Sequence, residues 1–74
     1  MADDTVRGRI TAVQESRFRL LTADGRGYLF TLATDADADP TQLRQWHERD
    51  SLVLVAYRGL PGMDSCVASG VRRC

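Results

Sequence analysis

Between Val6 and Thr34 the chain alternates polar and apolar residues, and two short polar segments interrupt the alternation. A period of two marks a half-buried β-strand, because successive side chains point to opposite faces. In VRGRITAV (6–13), Val6, Gly8, Ile10 and Ala12 are expected on one face, with Arg7, Arg9 and Thr11 on the other. In RFRLLT (17–22), Phe18 and Leu20 oppose Arg17 and Arg19; in YLFTLAT (28–34), Tyr28, Phe30 and Leu32 share a face. The first interruption, Gln14-Glu15-Ser16, is short enough for a hairpin turn. The second contains Asp24-Gly25, a pair that tolerates the positive φ of a type I′ turn. This half of the chain therefore reads as a three-stranded meander.

A meander has an apolar face to cover, and only 40 residues follow Thr34 in a chain of 74. A chain of this length forms one domain, here residues 1–74 with 1–5 as a flexible tail, and has a small core. SLVLVAY (51–57) reads as a fourth strand, RGLPGMDS (58–65) as a loop punctuated by glycine and proline, and CVASGVRR (66–73) as a fifth strand. Between the third and fourth strands, DADADPTQLRQWHERD opens with Asp35, Asp37 and Asp39 at alternate positions. A calcium loop needs glycine at its sixth position and glutamate at its twelfth; counted from Asp35 these are Pro40 and Trp46. A capped helix fits instead. Asp39 can accept from the first-turn N–H groups, and Pro40 suits the first helical position. Leu43, Trp46 and His47 follow at i, i+3 and i+4 as its stripe. Trp46 is expected as a core plug and His47 as a structural or exposed residue. Asp35 and Asp37 are left as a solvated approach loop.

Charge and cysteine usage narrow the function classes. Ten arginines balance eight aspartates and two glutamates, with no lysine, so the net charge is zero. A neutral total argues against strong non-specific nucleic-acid binding, and distribution has to carry any such role. Cys66 and Cys74 sit eight residues apart in one strand, ~26 Å when extended, too far for a disulfide. Two cysteines and one histidine cannot complete a four-ligand zinc site alone. Cys66 reads as a small buried hydrophobe, and Cys74 as an end residue able to cross-link chains on oxidation. No apolar run approaches a membrane helix, and the start of the chain lacks the apolar centre of a signal peptide, so a cytoplasmic protein is expected. Paired carboxylates at a structured site, a nucleophile elbow and a phosphate-cradling glycine motif are all missing from the sequence. The expectation is a binding protein with no cofactor rather than an enzyme.

The order β-β-β-α-β-β, with one short helix between strands three and four, is that of a five-stranded OB-fold-like antiparallel barrel. A helix at that point argues against an SH3-like barrel. GRITAV, FRLLTADGRGYLF, RDSLVLVAY and the Arg-rich last strand resemble the small S1-type OB-fold proteins, in a layout similar to that of bacterial translation initiation factor one. The chain departs from that group in its neutral charge, in Arg49-Asp50 where Gly-Asp is frequent, and in aromatics that face the core.

The resemblance implies a binding surface on strands two and three, flanked by the loop at Gly59 to Asp64. Arg17, Arg19, Leu21, Arg26, Leu29 and Thr31 fall there, and Arg7 and Arg9 join from strand one. Arginines facing each other across strands repel, and an anion would relieve them. Single-stranded nucleic acid, RNA first, is one expected partner, with Arg7, Arg9, Arg17 and Arg19 on phosphates and Arg26 and Tyr28 at the edge. Alternatively, the face is simply solvated and balanced by Asp3, Asp4, Glu15 and Asp24. A third expectation is a protein partner or a second copy. If Leu52 and Leu54 face inward, Val53, Val55 and Tyr57 face outward and, with Leu60 and Met63, form an apolar interaction surface.

Overall fold

The computed structural model describes residues 4–59 and 66–74. The protein is mainly β, with five strands in one mixed sheet and one short helix. The elements run β1 (Asp4–Gln14), β2 (Arg17–Leu21), β3 (Gly27–Leu32), α1 (Pro40–Glu48), β4 (Leu52–Arg58) and β5 (Val67–Arg73). β1 starts earlier than expected: Asp4 and Thr5 pair with Tyr57 and Ala56, so the strand reaches into the segment read as a tail. Among the described residues, no helix is long and apolar enough to cross a membrane.

The pairing order β1-β2-β3-β5-β4 returns to β1, so the sheet closes on itself. Four of its pairings are antiparallel, and β3–β5 is parallel. An all-antiparallel ring was expected. Five strands cannot form one, because directions that alternate around an odd ring must repeat once. The repeat falls at β3–β5, where only Thr31 and Leu32 meet Val67 and Ala68.

Ile10, Phe18, Leu20, Phe30, Leu32, Val53, Val55, Ala68 and Val71 line the interior, with Leu43 and Cys66. Phe30 organises the aromatic packing, with ring centroids 5.4 Å from Phe18, 6.0 Å from Tyr28 and 5.5 Å from Tyr57. The phase of β1 changes along its length. Ile10 opposes Leu20, then a register shift places Ala12 opposite Arg19 and Val13 opposite Phe18. The extra residue, Thr11, is a bulge that turns Ala12 outward and Val13 inward, against simple alternation. Gly8 lies where β1 crosses closely over β2. A Cβ there would sit 2.5 Å from the backbone oxygen of Leu21.

The phase expected for β4 is reversed. Val53 and Val55 are fully buried, Leu52 is exposed and Leu54 is half-buried. The cause is the neighbouring strand: Val53 opposes buried Gly8 and Val55 opposes Val6, and directly opposed residues share a face. Tyr57 follows them inward, half-buried against Phe30. Burial, followed by the nearby Asp4 carboxylate, raises its phenol pKa. Val53, Val55 and Tyr57 therefore form no outward surface, and Leu60 and Met63 lie outside the described residues.

The helix is fixed at both ends. Asp39 accepts from the Gln42 N–H at 2.8 Å, and the Gln42 side chain accepts from the Asp39 N–H at 3.0 Å, a reciprocal capping box with Pro40 behind it. At the far end Ser51 N–H donates to Trp46 O and Asp50 N–H to His47 O, with Asp50 at φ 52. This is a Schellman closure with aspartate where glycine is usual. Leu43 is fully buried, Trp46 packs half-buried against the core, and His47 is exposed. Asp37 is not merely solvated: its carboxylate accepts from the Val71 N–H at 3.1 Å and ties the approach loop to β5.

Candidate functional site

The outer face of β1, β2 and β3 gathers the arginines singled out in the sequence, but not head to head. Arg17 lies between Gln14 and Thr31, and Arg19 between Ala12 and Leu29. Arg9 lies between Leu21 and Leu52, and Arg7 opposes Leu54. The bulge at Thr11 sets which β1 residues face the β2 arginines, Ala12 and Gln14 in place of Thr11 and Val13. Each arginine has an uncharged residue directly across the ladder, which removes the strongest like-charge repulsion.

Leucines fill the intervals. Leu21, Leu29 and Leu52 are the exposed large hydrophobic residues among those described, at 45%, 41% and 37%, and all three adjoin an arginine in the ladder. Two shallow depressions follow. One, of about 300 Å³, is bordered by Ala12, Gln14, Arg17, Arg19 and Leu29. The other, of about 370 Å³, is bordered by Arg7, Arg9, Leu21, Thr22 and Leu52. Each therefore has an apolar floor and two guanidinium groups at its rim, an arrangement suited to a ligand carrying both negative charge and flat apolar surface.

The face is only partly neutralised from within. The Arg9 Nε donates to the Asp50 backbone oxygen at 3.3 Å and lies 3.7 Å from its carboxylate. Arg26, at the tip of the β2–β3 hairpin, is 3.3 Å from Asp24. The Thr22 hydroxyl hydrogen bond, reinforced by Arg26, holds the Asp24 carboxyl below its ordinary pKa. Among the described residues, Arg7, Arg17 and Arg19 have no acidic partner. Among the described residues, Asp24 thus balances only Arg26, and Glu15 pairs with none of the arginines.

The hairpin tip is also built differently from the type I′ turn expected. Gly25 N–H donates to Thr22 O, Thr22 N–H donates to Arg26 O, and only Gly25 has positive φ. That is the three-residue form, a turn followed by one left-handed residue. Tyr28 does not join the arginines. It opposes buried Leu20, packs edge-on against Phe30, and belongs to the inner side of the sheet.

One arginine of the outer face escaped the sequence argument. Arg72 on β5 opposes Leu54, which opposes Arg7 on its other side. Buried Val71 placed Arg72 outward by alternation, but the strand order that brings β5 beside β4 was needed to connect it to Arg7. Compared with protein-family models, curated proteins and solved structures, the chain matches none.

Proposed function

We propose that the protein is a small non-enzymatic module, OB-fold-like in its closed five-stranded barrel, that binds single-stranded nucleic acid, RNA first, on the outer face of β1–β3. The carrying observation is the interleaving of Arg7, Arg17 and Arg19, which lack acidic partners among the described residues, with exposed Leu21 and Leu29 along two grooves. Arginines meet phosphates, and the leucine floor meets bases free of a duplex. Arg9 contributes after exchanging its contact with Asp50. Arg26 remains at the edge, whereas Tyr28 drops out. The proposed setting is the cytoplasm, and neither cofactor nor catalytic group enters the mechanism. A partner on β4 loses its support with Val53 and Val55 buried.

The test is anisotropy titration of labelled single-stranded RNA and DNA at about 50 mM and about 200 mM salt, where each phosphate contact contributes ~0.7 to the logarithmic slope. Micromolar binding that weakens steeply with salt is expected. Exchanging Arg17 and Arg19 for serine is expected to lower affinity at least ~10-fold and reduce that slope by ~1.4. Undiminished affinity in that variant removes the outer face as the site.

A further inference from the structure

We propose that the nucleic-acid surface does not end at β1 but crosses β4 onto β5, with Arg72 as its far anchor. This extension rests on the single-strand reading of the outer face. Its geometry comes from two ladders: Arg7 opposes Leu54 in β1–β4, and Leu54 opposes Arg72 in β4–β5. Opposed residues share a face, so the three side chains form one row, with the two arginine Cα positions about 10 Å apart across two strand spacings. Leu54 is half-buried between them and continues the apolar intervals supplied by Leu29, Leu21 and Leu52.

Arg72 is exposed, and among the described residues no acidic group pairs with it. The groove bordered by Arg7, Arg9, Leu21 and Leu52 lies between this row and Arg19 and links the two parts through Arg9, once Arg9 exchanges its Asp50 contact for phosphate. The basic path therefore runs Arg17, Arg19, Arg9, Arg7, Arg72, obliquely across four strands. An extended polyanion fits a path of this shape. A compact phosphate would use only one of its pairs.

Length dependence tests the extension. Wild type, R72Q, R7Q and R44Q are titrated with labelled single-stranded RNA of about four and about twelve nucleotides, the lower and middle range of sites on such small barrels. Arg44 lies on α1 and serves as the charge-matched control. R72Q is expected to leave the short oligonucleotide within about twofold, to weaken the long one ~3–10-fold, and to lower its salt slope by ~0.7. R7Q is expected to weaken the long oligonucleotide similarly, with R44Q matching wild type. Melting curves should show all variants folded, since these side chains are exposed. If R72Q matches wild type on the long oligonucleotide while exchange of Arg17 and Arg19 abolishes binding, the extension is overturned and the β1–β3 site stands. Equal losses in R72Q and R44Q also overturn it, as a general charge effect. If wild type binds neither oligonucleotide, the outer-face function itself fails.

Discussion

The inner and outer sides of these strands are made from different chemistry, although the residues alternate along one backbone. Inward, among the described residues, no polar or charged side chain is buried, and Phe18, Leu20, Phe30, Val53 and Val55 pack with essentially no exposure. Outward, Arg7, Arg17 and Arg19 have no acidic partner among the described residues and share the surface with exposed leucines. Burial of apolar area accounts for the stability of a small domain, whereas isolated surface charges contribute little. The contrast assigns holding together to one side and recognition to the other. Substitutions should separate accordingly.

The largest effect is expected from placing the same charge on each side. Val55→Asp buries an unpaired carboxylate and should cost ~4 kcal/mol or more, enough to unfold a domain of this size. Leu52→Asp, three positions earlier and outward beside Arg9, should stay within about 0.5 kcal/mol. Comparable losses in urea melts would erase the distinction between the sides. Gly8→Ala should come next, at ~1–3 kcal/mol, because its Cβ meets the Leu21 backbone rather than a yielding side chain. The smallest effect belongs to neither side. Glu15 holds φ 56 in the β1–β2 turn, a region costly for a residue with a Cβ. Glu15→Gly should raise stability by ~0.5–1 kcal/mol and leave oligonucleotide affinity unchanged. A lower melting temperature in that variant would show that the side chain does more than tolerate the turn.

The same contrast explains which features were legible in the sequence. β2 and β3 carry opposite chemistry at successive positions, so Arg17, Phe18, Arg19 and Leu20 declare their sides directly. Asp39-Pro40 followed by Gln42 likewise announces the helix start, and the cap forms as expected. β4 offers no such declaration. In Leu52-Val53-Leu54-Val55 either phase buries aliphatic residues, and a slip of one residue exchanges the sides. Only pairing with Gly8 and Val6 on β1 settles it. The bulge at Thr11 was invisible for a related reason: nothing in Ile10-Thr11-Ala12 marks an extra residue, since plain alternation would set Ala12 inward opposite Phe18. The β1–β3 arginines could therefore be named from sequence. Their staggering and the exclusion of Tyr28 depend on the registers of the β1–β2 and β2–β3 hairpins, and the addition of Arg72 on the distant β1–β4 pairing.

Closure of the sheet also has a kinetic side. β1–β2, β2–β3 and β4–β5 join strands that follow one another in the chain, and they can zip from their turns. β1–β4 and β3–β5 join distant segments: Val6 must find Val55, and Thr31 must find Val67. The entropy of closing those intervals is lost before their contacts reward it. A meander and a hairpin can thus form early and wait, joined by a helix whose capped ends shorten the tether between them. Docking them makes both distant pairings together, so refolding on the millisecond-to-second scale of non-local β-proteins is expected rather than the microseconds of helical bundles.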